Sequence, residues 1–118
     1  MSAQDLLRLA NEDEDVSRAL RVFAQGTVRW SDLYHAFEIV QASVGGHMFD
    51  AGWISRSDAN LFSWTANSPA VIGEQARHGH QRNDPPAAPM SEDAAVRLIR
   101  RLVKQWLDWK LGNNGDSP

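Results

Sequence analysis

The sequence predicts an all-α fold, a helical bundle of four to five main helices. Apolar residues recur at the three- and four-residue spacing of a helix along most of the chain. No segment alternates convincingly with the period of two that is typical of strands. We therefore predict a single bundle domain over residues 1–112, followed by a disordered tail over residues 113–118.

Composition and charge limit the classes of function. The chain has no cysteine, which excludes disulfides, thiolate metal sites and a cysteine nucleophile. It has no apolar run long enough to span a membrane, and its net charge of −3 disfavours broad nonspecific binding to DNA. We expect a cytoplasmic protein that does not enter a membrane.

The N-terminal half reads as amphipathic helices. A short helix is predicted from about Ser2 to Ala10, and a second from the acidic run after it to about Gln25, where Gly26 is a natural stop. The sequence leaves open whether these are one kinked helix or two. A central core helix is predicted to start at Trp30 with Ser31 as its cap and to end at Gly45. Its predicted inner side is Leu33, Tyr34, Phe37, Val40, Gln41 and Val44.

The second half contains three further predicted elements. A short helix with Met48, Phe49 and Trp53 turned inward is one interpretation of residues 47–53. Ser55 is positioned to cap a helix from Arg56 to about Ala66. Another helix is expected to open at Ser68-Pro69 and to end at residues 77–79, before a proline-rich loop. Ser91 is predicted to cap the final helix, which Gly112 ends.

Residues 65–80 contain most of the polar groups that could act together chemically. Asn67, Arg77, His78 and His80 are the candidate site residues. A histidine can serve as general base and an arginine can hold phosphate, and this pair is enough for RNA cleavage without a metal. The plainer interpretation is that Arg77 and His78 cap the last carbonyls of their helix, where cations are favoured.

A metal site is not predicted, and no cofactor is expected. His78 and His80 bring two imidazoles close together in sequence, but a metal needs three or four ligands. No further ligand stands at a diagnostic spacing, and His47 is the only spare histidine near the middle of the chain.

The last helix has two other features of interest. Arg97, Arg100, Arg101 and Lys104 share one side, which is typical of a solvated face, although it could also bind phosphate or an acidic partner. Some of these cations were candidates to pair with the acidic residues 12–15. Trp109, near the end of the helix, is the best candidate for an interface anchor, and a homodimer through this helix is one prediction.

From Trp30 onward, short strings resemble a family of small helical bacterial proteins with no assigned activity. The strings are Trp30-Ser31-Asp32-Leu33-Tyr34, Thr65-Ala66-Asn67, Ala76-Arg77-His78-Gly79, Pro85-Pro86 and Pro89-Met90-Ser91. The resemblance covers most of the chain and implies an all-helical architecture.

A looser similarity is to HEPN domains (higher eukaryote and prokaryote nucleotide-binding). These are helical bundles, often dimeric, that occur in toxins, phage defence and RNA processing. Active members carry an Arg and a His several residues apart, whereas here His78 directly follows Arg77. Arg29 and His35 have five residues between them but straddle the start of a core helix. The similarity therefore implies a member that binds RNA or a nucleotide without cleaving it.

Three hypotheses follow from the sequence. The first is a HEPN-like module that binds a partner or a nucleotide-containing ligand, in a bacterial defence or toxin–antitoxin context, through Asn67, Arg77 and His78. The second is a metal-independent ribonuclease that uses Arg77 with His78 or His80. The third is a structural or assembly protein held together through Trp109 and the last helix.

Overall fold

A computed structural model describes residues 1–68 and 86–115. These ranges contain helices and no strand, which confirms the all-α prediction. The helices are α1 (Ala3–Glu12), α2 (Glu14–Ala24), α3 (Trp30–Val44), α4 (His47–Asp50), α5 (Arg56–Ala66) and α6 (Glu92–Gly115). No helix in these ranges combines the length and apolar content that a membrane crossing needs.

Helix α3 is the centre of the bundle. It packs against α2, α4, α5 and α6, while α1 packs against α2 and α6. Contact from several sides explains why α3 buries more than the single stripe predicted for it. Ala36 and Ile39 are buried as well as Leu33, Phe37 and Val40, whereas Gln41, predicted on the inner side, is exposed.

Four aromatic rings form the contact between α3 and α5. The Phe62 ring lies 6.2 Å from Trp30, 6.0 Å from Tyr34 and 5.6 Å from Phe37, measured between centroids. Phe62 is fully buried, and rings at these separations add attraction beyond the burial of their area. This aromatic cluster fixes α5, and therefore the residues that follow it, against the central helix.

The break between α1 and α2 occurs at a single residue. Asp13 has an extended backbone, its N–H donates to the Leu9 carbonyl, and its Oδ1 accepts from the Val16 N–H at 3.2 Å. One residue thus closes α1 and caps α2. The question left open by the sequence is answered: the first two segments are two helices.

Of the predicted serine caps that the structure describes at the starts of α3, α5 and α6, those at Ser55 and Ser91 are confirmed and the one at Ser31 is wrong. The Ser55 hydroxyl accepts from the Asp58 N–H at 3.0 Å, and the Ser91 hydroxyl accepts from the Ala94 N–H at 3.1 Å, as predicted. Ser31 is not a cap, because α3 already begins at Trp30 and its Asp32 carboxylate accepts from the Arg29 N–H at 2.9 Å.

The predicted end of the last helix at Gly112 was also wrong, since α6 continues to Gly115. Gly112 does not adopt the positive φ of a glycine that terminates a helix. Glycine inside a helix costs about 1 kcal/mol relative to alanine, which is too little to end a helix by itself.

An ion pair joins the start of α2 to the C-terminal part of α6. Lys110 Nζ lies 2.7 Å from Asp13 Oδ2 and 5.0 Å from the centre of the Trp106 ring. Burial acts to raise the pKa of Asp13, but the hydrogen bonds from Lys110 and from the Val16 N–H outweigh it, so that pKa lies below its ordinary value. Of the acidic residues 12–15, Asp13 thus pairs with Lys110 of α6 rather than with one of the cations that were predicted as partners, and Asp15 pairs with Arg18.

Replacing Lys110 with methionine is expected to lower the free energy of unfolding at pH 7 by about 1 kcal/mol. A carboxylate with a lowered folded pKa adds stability above its unfolded pKa and loses it as the pH falls through the folded pKa. The deficit of Lys110→Met should therefore disappear in acid. Urea denaturation at both pH values checks this, with Asp13→Asn as the control that keeps the cap but removes the charge. A deficit of equal size in acid would contradict the ion-pair explanation.

Candidate functional site

The predicted site falls partly outside the described residues. Arg77, His78 and His80 lie within residues 69–85, as does the helix expected to open at Ser68-Pro69. The structure describes the fourth predicted residue, Asn67, and the two ends of the chain that flank this segment.

Asn67 terminates α5 and is fixed by its own helix. Its backbone N–H and its side-chain Nδ2 both donate to the Ser63 carbonyl, at 3.1 Å and 2.7 Å. These bonds satisfy one of the carbonyl groups that the last turn of a helix leaves without a partner. Asn67 and the next residue, Ser68, are both buried, so α5 ends inside the protein.

The Asn67 carboxamide is only half satisfied. Its Oδ1 is enclosed and accepts no hydrogen bond within the part of the chain that the structure describes. A buried acceptor left in this state costs about 1–3 kcal/mol, and most buried polar atoms in folded proteins have a partner. The atom is therefore a ready acceptor for a donor from outside the described residues.

A hydrogen bond joins the two sides of residues 69–85. The Met90 N–H donates to Thr65 Oγ1 at 3.1 Å, although 25 residues separate them in sequence. Thr65 is fully buried, and Pro86, the first residue described after the segment, is buried too. The segment that contains Arg77, His78 and His80 is thus attached at both ends to the core that α3 organises.

A cleft of about 300 Å³ lies between α2 and α3. Its lining residues are Asp15, Arg18, His35, Glu38, Ile39 and Ala42. Arg18 Nη1 lies 3.4 Å from Asp15 Oδ1, so the guanidinium is already paired. His35 therefore faces this cleft, while Arg29 is exposed at the start of α3, about one and a half helical turns earlier. Arg29 is not among the residues that line the cleft with His35.

A groove of about 440 Å³ runs along the outer side of α5. Its lining residues are Ser57, Asn60, Leu61 and Trp64, which follow the spacing of one helix face. Leu61 and Trp64 are half-buried where they line this groove.

Trp109, the predicted interface anchor, packs inside its own chain. Its ring centre lies 5.5 Å from that of His47 and 5.9 Å from that of Trp53, and His47 meets Trp53 edge-on at 5.3 Å. This contact holds the end of α6 against the loop around α4. In the described ranges, no group of three or more His, Asp and Glu side chains is placed to hold a metal ion.

The fold and these contacts define a small α-helical bundle with a buried polar end to α5. Comparison with known protein families, curated proteins and solved structures finds no match. The HEPN-like relationship accordingly stays a prediction from the sequence.

Proposed function

We propose that the protein is a noncatalytic, HEPN-like binding module that holds a nucleotide-containing ligand with Asn67, Arg77 and His78. The observation that carries the proposal is the enclosed Asn67 Oδ1, which accepts no hydrogen bond from the described residues and lies directly before the segment that contains the other two residues. A ligand that donates a hydrogen bond to this atom would recover the free energy that its isolation costs.

The chemistry of these side chains favours a nucleotide over a purely apolar ligand. One N–H of Asn67 Nδ2 donates to the Ser63 carbonyl, whereas Oδ1 accepts no hydrogen bond among the described residues. An acceptor of this kind suits the amino group of a base such as adenine. A guanidinium offers a rigid fork of donors that matches phosphate, which is the role we assign to Arg77. His78 would add a second hydrogen bond or charge, depending on pH.

The attachment of residues 69–85 at both ends supports the same proposal. A segment with fixed ends has fewer conformations to lose when a ligand binds, and this lowers the entropic cost of binding. The Thr65–Met90 hydrogen bond provides that attachment next to Asn67. The packed helices thus position the ligand-binding residues, and residues 69–85 recognise the ligand.

Binding of AMP and of fluorescein-labelled oligoadenylate in EDTA tests the proposal. We expect Arg77→Gln to weaken both interactions about tenfold, a loss of roughly 1.4 kcal/mol, and Asn67→Ala to weaken them several-fold. Asn60→Ala is the matched control, because it removes an exposed amide from the outer side of the same helix. Its affinity should equal that of the parent.

The same samples decide among the hypotheses. RNA cleaved by the parent in EDTA but not by Arg77→Gln would contradict the noncatalytic proposal and favour the ribonuclease, with His78 or His80 as the base. Failure of the parent to bind either probe would contradict both, and would leave an assembly role through the last helix.

A further inference from the structure

Four cations occupy the solvent face of α6. The basic strip, Arg97, Arg100, Arg101 and Lys104, is exposed along its whole length. It lies opposite the buried face of the same helix, which contains Ala95, Ile99, Leu102 and Trp106. From the rise of an α-helix, the strip extends roughly 10 Å along the axis.

The arginines of the basic strip have no described carboxylate as a partner. Among the described residues, Arg97, Arg100 and Arg101 form no ion pair, and Arg100 instead lies 5.8 Å from the centre of the Phe23 ring. Lys104 is the exception, since its Nζ lies 2.9 Å from Asp108 Oδ2. At least three guanidinium groups are therefore available for another anion.

Two arginines of the first helices have carboxylate partners, whereas Arg21 of α2 forms no ion pair among the described residues. Arg8 lies 3.7 Å from Asp5, and Arg18 lies 3.4 Å from Asp15, each pair three residues apart on one helix. The strip has the opposite arrangement, with like charges three or four residues apart. Each such pair destabilises a helix by about 0.2–0.5 kcal/mol, so the bare strip opposes folding slightly. An anion bound along it would relieve that repulsion.

Helix α6 carries its own carboxylates at Glu92 and Asp93, in its first turn, and at Asp108, which pairs with Lys104. Of the acidic residues 12–15, Asp13 contacts α6, where Lys110 Nζ lies 2.7 Å away, and Asp15 pairs with Arg18. Lys110 is half-buried and turned toward Trp106, away from the solvent face of the strip. A net charge of −3 is thus compatible with a local positive surface on α6.

We infer that the basic strip binds the phosphate backbone of a single-stranded nucleic acid. Arginine predominates in the strip, and guanidinium forms bidentate hydrogen bonds to phosphate that lysine does not. The strip begins about two turns after Met90, to which Thr65 attaches the end of residues 69–85. The inference rests on the proposed function for the class of ligand, and it extends that ligand from one nucleotide to a chain.

The test measures how oligoadenylate affinity depends on salt. Each phosphate contact to a single strand contributes about 0.7 to the slope of log affinity against log salt. Arg97→Gln/Arg101→Gln should therefore reduce that slope by about 1.4 and weaken binding about tenfold at low salt. Arg8→Gln/Arg18→Gln removes the same charge from arginines that already have carboxylate partners, and it should change neither quantity.

The outcomes separate this inference from the proposed function. If Arg97→Gln/Arg101→Gln binds AMP as the parent does but shows a smaller slope of log oligoadenylate affinity against log salt, the result supports the basic strip as well as the proposed function. If that slope is unchanged, or if Arg8→Gln/Arg18→Gln reduces it equally, the inference about the basic strip is wrong. The AMP affinities of the Asn67 and Arg77 variants then still test the proposed function. A reduced slope together with no effect of Arg77→Gln supports the strip and rejects the proposed function. RNA displaced by polyglutamate but not by excess unlabelled RNA would assign the strip to an acidic protein and overturn the inference.

Discussion

Replacing Phe62 with alanine is expected to lower the free energy of unfolding by about 3–5 kcal/mol. The side chain is fully buried, and its ring contacts Trp30, Tyr34 and Phe37 of α3. The surrounding rings are held by a helix that packs on several sides, so they cannot collapse fully into the space left behind. For a domain with a total stability of about 5–15 kcal/mol, this loss is a large fraction.

Urea denaturation followed by tryptophan fluorescence measures this effect. Leu7→Ala is the control, because Leu7 is a large apolar residue that is 66% exposed, and it should change stability by no more than about 0.5 kcal/mol. If Phe62→Ala were as mild as that control, the aromatic cluster would not be the contact that holds α5 to α3.

Thr65→Val is expected to lower the free energy of unfolding by about 1–3 kcal/mol. Valine has nearly the same shape, so packing is kept, but the Met90 N–H loses the hydroxyl oxygen that accepts its hydrogen bond. The exposed Thr27→Val is the matched control, and it should be nearly neutral. Equal stability in both variants would mean that the Thr65–Met90 hydrogen bond contributes nothing measurable.

Thr65→Val also shows whether the attachment of residues 69–85 to the bundle affects ligand binding. If a fixed segment lowers the cost of binding, the variant should bind AMP more weakly than the parent although Asn67 and Arg77 are unchanged. Unaltered AMP affinity would show that the attachment matters for stability alone.

Local sequence signals were enough to predict most helices. Helix α5 spans Arg56–Ala66 as predicted, because its Ser55 cap and its apolar spacing both lie within the segment itself. Met48 and Trp53 are buried as predicted, whereas Phe49, also predicted to turn inward, is half-buried and its ring centre lies 4.4 Å from the Arg56 guanidinium. The prediction for Ser31 was wrong because another local bond, from the Arg29 N–H to the Asp32 carboxylate, places the N-cap of α3 at Arg29, two residues earlier.

Contacts between distant residues could not be predicted from periodicity. The bond from Trp106 Nε1 to Ser43 Oγ at 3.1 Å and the pair between Lys110 and Asp13 join parts of the chain 63 and 97 residues apart. Helix spacing identifies a face but not the element that will cover it. The buried sides of α3 and the cleft that His35 lines depend on that missing information.

The candidate site was predictable in composition but not in geometry. Asn67 stood out as a polar residue at the end of a helix, which is a local signal. That its Oδ1 is enclosed without a partner depends on burial, and no sequence pattern reports burial of a single atom. The Thr65–Met90 bond could not be predicted either, because it joins residues 25 positions apart in sequence.

Hydrogen exchange at the Met90 amide tests most directly whether the bundle holds both ends of residues 69–85. In the parent, this amide should exchange markedly more slowly than those of the exposed neighbours Ala87 and Ala88. In Thr65→Val it should exchange about tenfold faster or more, while the amide of Val40 in the core of α3 remains protected. A Met90 amide that exchanges as fast as that of Ala87 in the parent would contradict the account.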